Sequence, residues 1–518
     1  GWVDYPTLLH RATNHLRATS EAARVGLLGA GGVLFLIPSS ALFEPLEWGF
    51  IRAASRGNVQ RVPCDEAGGL VGITRHTRLQ LFTAVGTTNE LREVFRRVVT
   101  SGAPADSVEI VYTSADDYVP TLYSLSRQYG LPVTFADGIP AYLMGPGRAL
   151  LAYLEWLSSD FLAASMRRML VSGDVAIPSL GCESVPSVAR LSTILTKSRM
   201  GWGRDRYRPC LELLAAQYEQ VGSESARRDA AAARYLANLA EFLIDVTPTL
   251  TGCVDMASLA SACAAFVSSC TREASDEDSE CRHSLLRALE ERAAVTGINL
   301  PAADALRHTR EWLLGLKVAA QTPRPGRIHA SGYASGGVSG RAHTFVVGLD
   351  AARFPGTVIQ DPILPDRVRA ALDPGLPLAA DRPAKNTHSM ASMLAGIRGD
   401  LTLSYSCYDV ADGRTCSPAA LLLQVHRTAT GRNDDDYTAL ASLLRPPAGF
   451  EAAEGRIALT SAEWWLQTLA ENESFSRAVP MVAAEYPGIG RGLEAEEARS
   501  GDDVTEFEGL TGIPCDLI

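Results

Sequence analysis

The segment Arg327–Gly356 (RIHASGYASGGVSGRAHTFVVGLDAARFPG) concentrates residues whose types and spacing suit anion contact. A short strand feeds a glycine-rich loop, Ser335 to Gly340, followed by Arg341 and an apolar strand. Glycines let backbone amides approach a phosphate closely, and an arginine beside them adds a charge-assisted contact. On this reading Ser335, Gly336, Gly337 and Arg341 hold a nucleic-acid backbone. The competing reading is a flexible crossover loop, which glycine content alone favours. A second stretch, Arg190–Arg208, carries Arg190, Lys197, Arg199, Arg204, Arg206 and Arg208 against the single acid Asp205, with Trp202 and Tyr207 interleaved. Cations for phosphates and aromatics for base stacking suit a single strand, which nominates Arg199, Trp202 and Arg204. The plainer alternative, slightly ahead, is a solvated loop and helix start with Trp202 packed into the helices around it.

Other chemistry is harder to find. A nucleotide loop of the form G-x-x-x-x-G-K-[ST] needs a lysine behind its glycines. The only lysines are Lys197, Lys317 and Lys385, and none is so placed. Gly29-Ala-Gly-Gly32 precedes a strand, opens no helix and has no lysine, so it carries little weight. The ten cysteines are scattered, and the densest group (Cys253, Cys263, Cys270, Cys281) lacks the paired spacing of a zinc site. They read as reduced structural residues. Asp116-Asp117 and Asp434-Asp-Asp436 read as solvated loops, and His329 and His343 as packing or hydrogen-bonding residues. No catalytic residue and no metal ligand is assigned, and spacing supports no Ser/His/Asp arrangement.

These segments need a scaffold. At 518 residues the chain calls for two to four domains. It has no apolar run of the roughly 18 residues a membrane span needs and no secretory signal, so a cytoplasmic setting is expected. The net charge of −11 argues against a basic coat but not against a basic channel. Residues 7–24 and 41–56 read as helices flanking a strand at 32–38. Leu79–Val85, Ser107–Thr113 and Leu131–Phe135 read as strands, separated by a helix at Glu90–Thr100, capped by Asn89, and one at Tyr118–Tyr129. That alternation predicts parallel pairing through crossover helices. Helical spacing then dominates from 147 to about 320. Strands return at Arg327–Ala330, Thr344–Gly348 and Leu401–Tyr405. Residues 431–518 are polar and acidic, with one good helix at Ser461–Glu471. The expected fold is an α/β parallel sheet with a large helical insertion.

Several blocks resemble AddB-type subunits of ATP-dependent helicase–nucleases, a family within the PD-(D/E)XK nucleases. Gly336–Gly356 is similar to a family block in the helicase motif V position, Gln360–Asp366 to the step after it, and Leu401–Asp409 with Ser417-Pro418 to a later strand and its exit. Phe82–Arg92 resembles the motif IV position; Val108–Val111 with Tyr118, and Gly130-Leu-Pro132 with Gly138-Ile-Pro140, resemble the next two. The blocks span most of residues 1–430. The resemblance implies a superfamily-1 helicase-like sheet: the end of a first helicase-like domain at 1–78, a second at 79–146 and 323–430, the insertion at 147–322, and a connector towards a nuclease domain at 431–518. It implies single-stranded DNA contact through the motif V loop, a nucleotide-facing motif IV with Asn89, Glu90 and Arg92, and an AddA-type helicase partner at double-strand breaks. The chain departs from the family in lacking the ATP loop, the nuclease signature and a motif VI arginine before Leu401. ATP with magnesium and an iron–sulfur cluster are therefore expected only of a complete family member, and both chain ends read as cut edges. The alternatives are a superfamily-1 translocase fragment and a non-catalytic, partner-binding scaffold.

Overall fold

The computed structural model describes residues 5–19, 34–39, 41, 43–62, 78–181, 184–373, 376–444, 446–450, 457–471, 474–501 and 507. Gly29-Ala-Gly-Gly32 lies outside them, as do the end of the helix expected at 7–24 and the start of the strand expected at 32–38. In the N-terminal part, helices Tyr5–Ala18 and Pro45–Ser55 pack together beside a parallel pair, Phe35–Pro38 with Val59–Val62.

The main body is a six-stranded sheet of β1 (Leu79–Ala84), β2 (Val108–Tyr112), β3 (Val133–Phe135), β4 (Ile328–Gly332), β5 (His343–Val347) and β6 (Asp400–Ser406). Its spatial order is β1-β6-β5-β2-β4-β3, and every neighbouring pair is parallel. Parallel pairing is as expected, but the first three strands do not touch one another. Strands from beyond the helical block separate them. The strand sequences explain their central place: β2 (Val-Glu-Ile-Val-Tyr) is buried at all five positions, as a strand covered on both faces must be.

One face packs on α1 (Thr87–Ser101) and α2 (Ala115–Tyr129), through Val94, Phe95, Leu122, Ile110 and Tyr112. The other packs on α11 (Arg382–Gly396) and α12 (Ala420–Thr430), through Met393, Leu394, Leu422, Val111 and Val346. The fold is therefore α/β, a parallel sheet between helical layers. Ser114 accepts from the Asp117 amide to start α2, and Gly130 in the left-handed region ends it. Helix α1 starts differently from the sequence expectation. Gly86, at φ 82°, occupies the cap, and Asn89 lies in the first turn, where its amide donates to the Val85 carbonyl at 2.7 Å.

Between β3 and β4 stands the helical block: α3 (Gly145–Ser158), α4 (Ala163–Val171), α5 (Val188–Lys197), α6 (Tyr207–Val221), α7 (Glu224–Asp245), α8 (Met256–Cys270), α9 (Asp276–Ala293) and α10 (Ala302–Gly315). Its core is continuous with that of the sheet. Cys263, Cys270 and Cys281 are buried in it, and burial pushes their thiols up to about 12.

Residues 448–450 and 457–468, within the stretch expected as a connector, pack onto the sheet body. Ala448 bonds both sides of β1's end, accepting from Val85 and donating to Thr83. Helix α13 (Ser461–Glu471) sends the buried Glu463 against Arg92 and Arg96 of α1, each at 3.3 Å. Among the described residues no helix is long and apolar enough to cross a membrane.

Candidate nucleic-acid interface

The glycine-rich segment is the β4-to-β5 connection. Since β4 and β5 flank β2 in parallel, residues 333–342 must return from one end of the sheet to the other and pass over β2. Such crossovers ordinarily carry a helix; this one is a thin, non-helical layer between β2 and α11. The glycines make that layer fit. A Cβ on Gly336 would stand 2.9 Å from the Val111 side chain, and one on Gly337, at φ 76°, 2.8 Å from that of Met393.

The anion held by this loop is internal. Glu109 of β2 is buried and accepts from the Gly337 amide at 3.0 Å, from the Ser331 hydroxyl at 3.3 Å and from the Ser339 hydroxyl. Ser335 turns back to the Gly332 carbonyl. Arg341 is buried too. One of its terminal nitrogens donates to the carbonyls of Ala105 (3.2 Å), Val108 (2.8 Å) and Arg327 (2.6 Å), the other to Arg324 (3.4 Å). It stitches together the segments entering β2 and β4. The expected phosphate-binding loop is thus a pinned crossover, with the amides of Ser335, Gly336 and Gly337 and the terminal nitrogens of Arg341 bonded to the protein itself.

The three residues expected to face a nucleotide part company. Glu90 is fully buried at the C-terminal edge of the sheet, accepting from Tyr118 (2.6 Å), Ser404 (2.6 Å) and the Gly348 amide (3.0 Å). Burial raises its carboxyl above the ordinary value, and the three donors act in the other direction. Next to it Asp350 binds Arg353 at 2.7 Å, and Arg353 also reaches Asp117 at 2.8 Å. Asp117, expected in a solvated loop, therefore belongs to this network, and Asp436 likewise caps the helix Tyr437–Leu443. Arg92 points elsewhere, to Tyr129, Glu463, Asn89 and the Phe450 ring.

The stretch Arg190–Arg208 divides between scaffold and surface. Its first part is the helix α5, hidden from a charge-based reading, with Leu191, Ile194 and Leu195 as the buried stripe. Arg204 is structural: it donates to the carbonyls of Ile244, Thr247 and Pro248 at the end of α7. Tyr207 is buried between Trp156 and the Phe161 carbonyl. Trp202, in contrast, does not pack into the block. It is 57% exposed, with the Arg206 guanidinium 5.8 Å from its ring. The loop bearing it is fixed at both sides, because Gly201 accepts from Ala163 and Gly203 donates to Asp160. Arg199 is exposed, and Arg167, which the sequence reading passed over, lies exposed on α4 within 3.2 Å of Thr196. Among the described residues Arg167, Arg199 and Arg206 have no carboxylate partner. A solvent-facing indole on a loop held at both sides, with the Arg206 guanidinium beside it, offers a flat apolar face and a nearby positive charge.

Among the described residues no group of three or more His, Cys, Asp or Glu side chains is arranged to hold a metal ion. No protein-family model matches this chain, and no curated protein matches it.

Proposed function

We propose that this chain is the helicase-like, DNA-holding portion of an AddB-type helicase–nuclease subunit, which grips single-stranded DNA at broken ends in the cytoplasm beside an AddA-type helicase partner. The observation that carries the reading is the exposed Trp202 with Arg206, Arg199 and Arg167 on a helical block inserted into an all-parallel sheet. The order of sequence blocks that resemble the family supports it. In this proposal strand contact is made by the insertion, because Arg341 and the Gly337 amide are spent on the fold. The sheet supplies a rigid mount, and ATP and nuclease chemistry belong to other parts of a complete assembly.

The test is fluorescence anisotropy with a labelled oligothymidine over a salt series. The intact chain binds, and binding weakens as salt rises because phosphate contacts release counterions. Trp202→Ala loses stacking worth about 1–3 kcal/mol, roughly a 5- to 150-fold loss of affinity. Arg206→Glu weakens binding and lowers the salt slope by about one. A folded chain that binds nothing at about 50 mM salt, or variants that bind like wild type, would overturn the proposal and favour the scaffold alternative.

A further inference from the structure

A second, separate site lies where the helical block meets α2. An open pocket of about 480 Å³ is lined by Tyr123 and Arg127 of α2, Gly145 and Arg148 of α3, Gly173, Asp174, Arg272 and Asp278 among others. That size is in the range of small-ligand sites.

The lining holds three guanidiniums and two carboxylates, but the carboxylates are already engaged. Asp278 accepts from the Gly145 amide at 2.9 Å and the Ala274 amide at 3.2 Å. Asp174 takes the Arg148 guanidinium two-pronged, at 2.9 and 2.5 Å. Arg127 and Arg272 are exposed, and neither has a carboxylate partner among the described residues. Among the described residues the Arg127 guanidinium donates to the Tyr123 hydroxyl, at 3.0 Å. Arg272, whose amide donates to the Asp174 carbonyl at 2.9 Å, lines the pocket and is exposed. The lining thus carries three guanidiniums against two carboxylates, with Arg127 and Arg272 outside any ion pair among the described residues, a balance suited to the oxygens of a phosphate.

We infer that this pocket binds a phosphate group, either of a small phosphorylated molecule or at the terminus of a nucleic acid. The inference rests on the pocket alone and stands whether or not the Trp202 surface binds DNA. The test uses inorganic pyrophosphate as probe, titrated calorimetrically into the intact chain, with Arg272→Ala and Arg127→Ala beside it. Both side chains are exposed, so both variants keep the wild-type circular dichroism spectrum. Each loses a charge-assisted contact, and each weakens pyrophosphate binding about tenfold or more. A second arm compares terminally phosphorylated and unphosphorylated oligothymidine on a Trp202→Ala background. A gain from the phosphate that disappears with Arg272→Ala identifies a nucleic-acid end as the source. Pyrophosphate binding without such a gain identifies a small phosphorylated ligand. Absence of pyrophosphate binding at millimolar concentration, or equal binding in both variants, overturns the inference.

Discussion

Arg341→Ala is expected to lower the stability of the sheet body by about 3–4 kcal/mol, since hydrogen bonds to charged donors contribute roughly 1.5–3 kcal/mol each and do not add fully. The side chain is buried, and its donors serve the carbonyls of Ala105, Val108, Arg327 and Arg324. Alanine leaves those carbonyls without donors at the point where β2 and β4 enter the sheet, and it opens a void where the stem packed. Lysine is the informative comparison. A single ammonium cannot reproduce the fork that serves several carbonyls, so Arg341→Lys should fall between alanine and wild type. Urea unfolding followed by circular dichroism gives the readout, taken on the first transition because a chain of several packed units need not unfold in one step. If Arg341→Ala unfolds at the wild-type midpoint but loses DNA affinity, the arginine is a ligand-binding residue and not a structural one.

That contrast shows what could be read from the sequence and what could not. The strands announced themselves, because runs such as Val108–Tyr112 are too apolar and β-branched for anything but a doubly covered position. Their neighbours did not, because spatial order is decided by which strands return after the helical block, and no local pattern encodes that. The glycine-rich loop and the arginine after it were visible as a composition. Whether their donors meet a ligand or the protein depends on Glu109 and on carbonyls distant in sequence. Helix α5 is written in the spacing of Leu191, Ile194 and Leu195, but the positive charges around it fit a solvated loop equally well. Trp202 and Arg204, nominated together for one surface, part for a similar reason: an indole and a guanidinium are each equally at home in a core contact or on a surface, and the carbonyls at the end of α7 take Arg204 into the scaffold.

Glu90 supplies the other large effect, and its sign depends on the replacement. Glu90→Ala removes the acceptor for Tyr118, Ser404 and the Gly348 amide in a fully buried place, and the stranded donors are expected to cost about 3 kcal/mol. Glu90→Gln keeps the shape and at least the oxygen that serves Ser404 and Gly348, while removing a charge whose burial is unfavourable. Burial holds the Glu90 carboxyl above its ordinary value, against the pull of its donors. A raised value means the folded chain holds the proton more tightly than the unfolded one. The stability contributed is complete below the unfolded value, falls as pH rises through the folded value, and stays lost above it. Glutamine has no such dependence, so Glu90→Gln should gain on wild type as pH rises from the acid range to neutrality. Burial and the Glu90 charge also push the Tyr118 phenol well up, so its proton remains in place across that range. Urea midpoints for wild type, Glu90→Gln and Glu90→Ala at mildly acid and neutral pH separate the possibilities. If Glu90→Gln falls with Glu90→Ala at neutral pH, the site depends on a carboxylate charge, and the network at the sheet's C-terminal edge was built to hold an anion rather than to tolerate one.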